Sequence, residues 1–167
     1  MADLECKVIV LMGVTGSGKS TVGELLSQHL GWNYYDADDF HPPANVRKMA
    51  DGIPLNDEDR WPWLEGLAVE IGSWLEGGLG AILACSALKE SYRSLLVDGR
   101  EQVRIVHLKG HKELIAGRLA ERVDHYMPAS LLDSQFQTLE EPQDALVVDI
   151  DATPEEIAAD IRSRLDI

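Results

Sequence analysis

Short apolar runs alternate along the chain with segments in which apolar residues recur every three or four positions. The runs predict five β-strands, at residues 7–12, 33–36, 81–85, 103–108 and 145–150. The segments between them have the spacing of amphipathic helices. Strands that alternate with helices are typical of a parallel sheet with helices on both faces, joined by right-handed crossovers. The pattern therefore predicts a compact α/β fold.

Three of the predicted helices have recognisable end signals. The first is expected to end at Gly31, because glycine adopts the left-handed conformation that follows many helices. A longer helix follows residues 56–59, and we expect Pro62 in its first turn, where backbone N–H groups have no partner within the helix. The last helix opens with a capping box between Thr153 and Glu156, with proline in the first helical position.

Length and charge narrow the class of protein. The 167 residues are enough for one domain with a sizeable core. There are 15 Lys and Arg residues against 29 Asp and Glu residues, which gives a formal net charge of −14. This charge repels nucleic acid and anionic membranes at long range, so neither is an expected partner. An anionic substrate must then be held by local donors.

The cysteines and the hydropathy pattern predict a cytoplasmic location. Cys6 and Cys85 lie in or beside predicted strands and form no C-x-x-C motif, so we expect reduced thiols in the core. The N-terminus lacks the charged segment and cleavage site of an exported protein, and no apolar run approaches the roughly 18 residues of a membrane span. We therefore expect no membrane partner.

The first predicted strand runs directly into G-x-x-x-x-G-K-S, the pattern of a phosphate-binding loop. Its glycines allow a tight turn in which successive N–H groups point inward, and these donors and the next helix N-terminus hold a polyphosphate. Lys19 is expected to reach the β- and γ-phosphates, and Ser20 to hold Mg²⁺. A plain glycine-rich turn is the alternative, but chance rarely supplies the lysine, the hydroxyl and both flanking elements together. The predicted nucleotide-binding residues are Gly13, Val14, Thr15, Gly16, Ser17, Gly18, Lys19, Ser20 and Thr21.

A run of acidic residues follows the second predicted strand, at the edge of the sheet where such folds hold their ligands. Asp36 and Asp38 can supply two carboxylates to one cleft, the first toward Mg²⁺ and the second toward a substrate hydroxyl. The alternative is a solvated acidic turn that caps the next helix. His41 lies in the same segment and, taken alone, is more often structural than functional.

A second polar cluster follows the third predicted strand. A helix that begins beside Ser86 would offer backbone N–H groups, together with Lys89 or Arg93, to an anionic acceptor. Residues 45–49, which include Lys48, form a second basic wall. The alternative, an ordinary capped helix with solvent-facing cations, has equal weight from spacing alone.

A third cluster contains Arg118, Arg122 and His125. The two arginines share one helix face, and the segment that follows has the composition of a lid that folds over phosphates. Arginine suits this role because its fork stays charged and binds phosphoryl oxygens. The alternative is a pair of surface cations that face Glu121 or Asp124.

Taken in order, these motifs resemble those of the small gluconokinases over nearly the whole chain. The most specific of them are H-P-x-x-N-x-x-K-M at 41–49, P-L-N-D-x-D-R at 54–60 and S-Q-F-x-x-L-E at 134–140. The phosphate loop alone is shared by many unrelated proteins. The other motifs carry the resemblance.

The resemblance implies both a fold and a reaction. The fold is a single-domain P-loop kinase (residues 1–167) of the nucleoside monophosphate kinase and shikimate kinase type. It has a five-stranded parallel sheet in the order 2-3-1-4-5 and a lid at about 118–140. The reaction transfers the γ-phosphoryl group of ATP, with Mg²⁺, to the 6-hydroxyl of D-gluconate. A homodimer is also implied.

The resemblance assigns roles to particular residues. Lys19, Asp38 and Arg122 are the expected catalytic residues, and Ser20 and Asp36 the expected metal ligands. Three cations are candidates for binding the gluconate carboxylate, and the choice among them stays open: Lys48, Lys89 and Arg93. Asp124 replaces a glycine that is usual in the lid, and it adds negative charge near the phosphates. The expected substrate-binding residues are Asp38, His41, Lys48, Ser86, Lys89, Arg93, His125 and Gln135.

Two other functions are consistent with the phosphate loop. A kinase of another small acceptor, such as a shikimate-like acid or a nucleoside monophosphate, would share the loop and the lid. The motifs at 45–49 and 86–89 argue against it. A nucleotide switch without catalytic activity is the other, and the chain lacks the N-K-x-D motif of guanine-binding switches.

Overall fold

A single five-stranded sheet organises residues 5–121 and 129–167, which the computed structural model describes. The strands are β1 (Val8–Met12), β2 (Asn33–Asp36), β3 (Ala81–Ala84), β4 (Val103–Lys109) and β5 (Leu146–Asp149). They pair in parallel in the order β2-β3-β1-β4-β5. All five predicted strands are confirmed, with bounds that shift by one residue at most, and the implied strand order is confirmed as well.

Helices connect the strands and cover both faces of the sheet. A short 3₁₀ helix (Ala37–Phe40) follows β2. The α-helices are α1 (Lys19–Leu30), α2 (Pro43–Ala50), α3 (Asp57–Glu76), α4 (Glu90–Val97), α5 (Lys112–Ala120), α6 (Ala129–Thr138) and α7 (Pro154–Leu165).

The central strand β1 is buried on both faces, which explains its uninterrupted apolar sequence. Side chains alternate between the faces of a strand. Ile9 and Leu11 join a core with residues of α1 and α7, whereas Val8 and Val10 join a second core with residues of α3 and α4. The strand that leads into the phosphate loop is therefore fixed from both sides.

Register brings the ends of three strands to one edge of the sheet. Leu11 of β1 and Asp36 of β2 both lie opposite Ala84 of β3. Beyond the strands, the Cys85 N–H donates to the Leu11 carbonyl over 3.0 Å, and the Gly13 N–H donates to the Ser86 carbonyl over 3.3 Å. The loops that leave β1, β2 and β3 therefore start side by side.

The helix ends follow the sequence signals, with one correction. Gly31 follows α1 in the left-handed conformation, and Asn56 and Asp59 form a reciprocal capping box at the start of α3. Thr153 accepts a hydrogen bond from the N–H of Glu156 at the start of α7. Pro62 was expected in the first turn of α3, but it is the sixth residue of that helix, so this expectation was wrong. The helix continues because the bond lost is to the carbonyl of residue 58, at a position exposed to water.

The predicted start of α4 beside Ser86 is also wrong, because the helix begins at Glu90. Residue Ala87 adopts a left-handed conformation with φ of 45°, which interrupts any helix there. The carbonyls of this loop find partners elsewhere in the chain: the Leu88 carbonyl accepts from the Glu140 N–H over 2.8 Å. The first N–H group of the helix, that of Glu90, bonds the Glu140 carboxylate over 2.7 Å and is not open to a ligand.

The helices and the two thiols can be compared with what composition predicts. Across residues 5–121 and 129–167, no helix has both the length and the apolar character needed to cross a membrane. Cys6 and Cys85 are free and buried. Burial raises the pKa of the Cys6 thiol to about 11 and that of the Cys85 thiol to about 12, so both are protonated at neutral pH.

Candidate active site

A phosphate-sized cradle forms where β1 passes into α1. Gly13 is required by close packing, because a Cβ there would lie 2.6 Å from the Ser17 hydroxyl and 2.9 Å from the Leu108 carbonyl. Gly18 has φ of 96° and precedes α1 without a side-chain cap. The first turn of α1 contains no acidic residue. Its backbone N–H groups and its positive dipole end are therefore available for an anion.

Lys19, the first residue of α1, folds back over this loop. Its Nζ donates to the Gly13 carbonyl over 2.9 Å and to the Val14 carbonyl over 3.1 Å. The ammonium group therefore lies over the loop, at the place where the sequence analysis expects the phosphates. Ser20 follows it in an exposed position at the helix start.

Gln135 of α6 forms hydrogen bonds to the phosphate loop with both the oxygen and the nitrogen of its side-chain amide. Its Oε1 accepts from the Thr15 N–H over 2.6 Å, and its Nε2 donates to the Thr15 hydroxyl over 2.9 Å. The sequence suggested a substrate contact for this residue. The structure instead gives Gln135 a contact with the loop itself, across 120 residues of sequence.

The acidic segment after β2 lies next to this loop. Asp36 ends the strand half-buried, and its Oδ1 accepts from the Asp38 N–H over 2.9 Å. The Asp38 side chain is 79% exposed, and its Oδ1 lies 3.5 Å from His41 Nε2. Two carboxylates therefore stand at the edge of the sheet, one fixed and one presented to solvent.

The His41 ring is only 4% exposed, which does not fit a direct contact with a substrate. It stacks on Trp63 of α3, with ring centroids 4.2 Å apart and planes 18° apart. Asn45 of α2 lies 3.2 Å from the Nδ1 atom of the ring. Burial lowers the pKa of His41, although the nearby Asp38 opposes the shift. The expectation of direct substrate binding is therefore corrected, and the ring lies behind Asp38.

The two lysines proposed for a substrate carboxylate already have carboxylate partners at the start of α3. Lys48 Nζ lies 2.9 Å from both oxygens of Asp59, and Lys89 Nζ lies 3.0 Å from both oxygens of Asp57. Hydrogen bonds, from Tyr92 and then Lys89, lower the pKa of Asp57, and the bond from Lys48 lowers that of Asp59. Each lysine thus holds α3 to a neighbouring segment.

Arg93 was a third candidate for the substrate carboxylate, and the structure contradicts it. The residue is 3% exposed. Its Nη1 donates to the Ala87 carbonyl over 2.7 Å, and its Nη2 donates to the Glu90 carboxylate over 3.0 Å and to the Glu140 carbonyl over 2.7 Å. Arg93 is therefore a structural residue that ties the loop after β3 to the chain that follows α6.

Arg60 is a site residue that the sequence analysis missed, although it ends the P-L-N-D-x-D-R motif. Its Nη1 lies 3.3 Å from the Tyr92 hydroxyl and 4.0 Å from Asp57 Oδ1, and 35% of the side chain is exposed. It is also among the charges that lower the pKa of His41. Arg60 therefore places a cation between the acidic segment after β2 and the start of α4.

Ser86 and Arg118 occupy the other positions that the sequence analysis named. Ser86 is half-buried beside the phosphate loop, where its carbonyl accepts from the Gly13 N–H. Arg118 Nη2 donates to the Ile150 carbonyl over 2.5 Å and so ties α5 to the segment after β5. Arg122 and His125 lie outside the described residues, as does the whole of the segment 122–128 within the expected lid.

A phosphate loop before a helix, in a parallel sheet of this order, is the fold of a P-loop kinase. The family model for shikimate kinase matches residues 15–166. A probable gluconokinase of Xenopus tropicalis is 43% identical over 95% of this chain and 93% of its own length.

Two solved structures of kinases are also similar to this chain. A sugar kinase from Janibacter sp. HTCC2649 has a TM-score of 0.86 at 44% identity, over 97% of this chain and 95% of that one. A gluconokinase from Sinorhizobium meliloti 1021 has a TM-score of 0.83 at 41% identity, over 95% of this chain and 91% of that one. The chain belongs to the gluconokinase family, which shares the shikimate kinase type of P-loop domain.

Proposed function

We propose that this protein transfers the γ-phosphoryl group of ATP to the 6-hydroxyl of D-gluconate and releases 6-phosphogluconate and ADP. The observation that carries the proposal is the identity of 43% over nearly the whole chain to a protein named as a probable gluconokinase. The site supports it, because a phosphate cradle, a solvent-facing carboxylate and a partly exposed arginine meet at one edge of the sheet.

The phosphate side of the site acts by position and charge. Phosphoryl transfer asks for little covalent help, so catalysis comes from aligned groups and from stabilised negative charge. The start of α1 receives the phosphates, and Lys19 exchanges its bonds to Gly13 and Val14 for phosphate oxygens. Arg122 is proposed to add charge stabilisation from the lid. His125 is proposed to contact the substrate there.

Mg²⁺ is proposed to be held by Ser20 and Asp36. Among the described residues, no group of three or more His, Cys, Asp or Glu side chains is placed to hold a metal. Mg²⁺ in kinases needs no such group, because one or two protein oxygens combine with phosphate oxygens and water. The exposed Ser20 hydroxyl and the half-buried Asp36 carboxylate fit this need. When bound, the ion would neutralise negative charge on the phosphates.

Asp38 is proposed to receive the acceptor. Its carboxylate is exposed and has no lysine partner within residues 5–121 and 129–167. It is therefore placed to accept a hydrogen bond from the 6-hydroxyl and then take its proton. Ser86 lies on the same edge and is proposed to contact the sugar acid. Gln135 contributes indirectly, since its amide fixes the loop at Thr15.

Arg60 is proposed to bind the gluconate carboxylate. Lys48 and Lys89 are each bonded to both oxygens of an aspartate, so they would have to break a charged pair to bind substrate. The longer contacts of Arg60, to Tyr92 and Asp57, leave part of its fork exposed. An arginine fork also matches a carboxylate with two parallel hydrogen bonds.

The product identifies the reaction. Wild-type protein is incubated with ATP, D-gluconate and Mg²⁺, and the mixture is followed by ³¹P NMR and by ADP release. One phosphomonoester on the terminal carbon of gluconate, formed in step with ADP and lost when EDTA removes Mg²⁺, is the expected result. Release of inorganic phosphate without a sugar phosphate would contradict the proposal.

Assembly and location are proposed from the family resemblance and from composition. We expect a homodimer, which light scattering of the purified protein tests directly. We also expect a cytoplasmic protein, because the two thiols are buried and reduced.

A further inference from the structure

The His41 side chain is buried behind Asp38. One face of the ring stacks on Trp63, whose indole N–H donates to the Ala37 carbonyl over 2.7 Å. The ring is therefore held by α3 and by the 3₁₀ helix that carries Asp38. A histidine that is 4% exposed can act on a substrate only through another residue.

Asn45 determines which ring nitrogen carries the proton. Its Nδ2 lies 2.9 Å from the Asp59 carbonyl, which can only accept a hydrogen bond, so this atom is the amide nitrogen. The second hydrogen of the same nitrogen points to His41 Nδ1 over 3.2 Å. Nδ1 must therefore be the acceptor, and a neutral ring then carries its proton on Nε2. Asn45 is 3% exposed, so water does not compete for these bonds.

The Nε2–H of this tautomer faces Asp38 Oδ1 over 3.5 Å. Hydrogen bonds at catalytic sites are often long without substrate and shorten when it binds. We propose that His41 is a positioning residue, fixed as the Nε2–H tautomer by Asn45 and Trp63, which donates to Asp38 and orients the carboxylate that takes the substrate proton. This inference rests on the proposed function, in which Asp38 receives a hydroxyl group.

A neutral ring suits this role better than a charged one. An imidazolium beside Asp38 would stabilise the ionised carboxylate and make it a weaker base. The charged groups near the ring are Asp36 and Asp38, which favour protonation, and Arg60, which opposes it together with burial. The net direction is a lowered pKa for His41, so the ring stays neutral at neutral pH.

Tautomer state gives a test that does not depend on turnover. Protein labelled with ¹⁵N-histidine is examined by two-bond ¹H–¹⁵N correlation NMR, and the His41 signals are assigned by their loss in His41→Phe. We expect a protonated Nε2 and an unprotonated Nδ1 at neutral pH. A ring protonated on Nδ1, or on both nitrogens, would overturn the proposal even if the protein proved not to phosphorylate gluconate.

Kinetics test the effect on Asp38. His41→Phe keeps the stack on Trp63 but loses the donor, and kcat for gluconate should fall about ten- to a hundredfold, as expected for a lost hydrogen bond to a charged group. The KM for ATP should be unchanged. His41→Gln places an amide donor near the former Nε2 and should recover part of kcat. The exposed His29→Phe is the matched control and should behave as wild type.

A double-mutant cycle separates the hydrogen-bond chain from general packing. Asn45→Leu removes the group that fixes the tautomer, and kcat should fall in this variant too. If Asn45, His41 and Asp38 act as one hydrogen-bonded chain, the kcat of the double variant Asn45→Leu/His41→Phe should be no lower than that of the poorer single variant. Additive losses, or normal kcat in folded His41→Phe, would contradict the proposal. Absence of gluconate phosphorylation in wild type would instead contradict the proposed function.

Discussion

The phosphate side of the site is formed mainly by backbone groups, whereas the acceptor side is formed by side chains. The phosphate side is one continuous stretch of chain, in which glycine conformations, backbone N–H groups and a single lysine form the cradle. The acceptor side is assembled from side chains of the acidic segment after β2, of α2, of α3 and of the start of α4. A backbone site can be recognised from a short motif, whereas a site made of paired side chains depends on the fold.

The two sides also differ in how their charges are arranged. No acidic side chain lies in the first turn of α1, so the phosphate cradle keeps its positive character. On the acceptor side, the start of α3 places Asp57 and Asp59 against Lys89 and Lys48. These four charges are therefore balanced within the chain itself.

The largest expected effect is at the acceptor carboxylate. Asp38→Asn keeps the shape of the side chain but loses the charge and the proton acceptor, so kcat should fall by roughly 10²–10⁴. ATP affinity, measured by titration calorimetry, should not change. The neighbouring exposed Asp39→Asn is the control and should retain activity. Near-normal kcat in Asp38→Asn would remove this residue from catalysis.

Sequence patterns predicted the sheet and the phosphate loop closely, for physical reasons. The strands β1 and β3 are short, fully buried apolar runs, and the loop is fixed by glycines whose conformations other residues rarely adopt. Sequence reasoning did not show that Arg93 is buried, because its partners at Ala87 and Glu140 come together only through the fold. It also passed over Arg60, since nothing in a sequence shows which cation has a guanidinium or ammonium group exposed to solvent in the fold.

Lys19 is the corresponding test of the phosphate side. Lys19→Ala removes one preorganised charge directed at the transferred group, and kcat should fall by roughly 10²–10³. Circular dichroism should be unchanged, because the shape of the loop is set by its glycines and by backbone hydrogen bonds. Lys7→Ala, at the opposite end of β1, is the control. Full activity in Lys19→Ala would contradict the role of the loop.

Arg60 sharpens the comparison, because its effect should be on binding. Arg60→Ala should raise the KM for gluconate by about tenfold or more while the KM for ATP stays constant, since a charge-assisted hydrogen bond is lost. Arg60→Lys should recover only part of the affinity, because it lacks the two-pronged fork. Arg47→Ala, exposed on α2, is the matched control. An unchanged KM for gluconate in Arg60→Ala would return Lys48 and Lys89 to consideration.

The smallest expected effect concerns acid stability. The pKa values of Asp57 and Asp59 are lowered by their hydrogen bonds, so the unfolded chain takes up protons first as the pH falls. These carboxylates therefore contribute stability above the ordinary aspartate range, which is lost as the pH falls through their folded-state pKa values. Urea unfolding across acidic pH should show a shallower dependence in Asp59→Asn than in wild type. Asp51→Asn, exposed after α2, should follow wild type. An equal pH dependence of the free energy of unfolding in all three proteins would contradict this contribution of Asp59 to stability.

Acceptor choice tests the central claim most directly. Initial rates of ADP formation are measured with D-gluconate, D-glucose, shikimate and a nucleoside monophosphate, each over a range of concentrations with saturating ATP and Mg²⁺. Gluconate should give the highest kcat/KM, and glucose should be poor because it leaves the carboxylate-binding cation unpaired. A kcat/KM at least tenfold higher for shikimate or a nucleoside monophosphate would contradict the account.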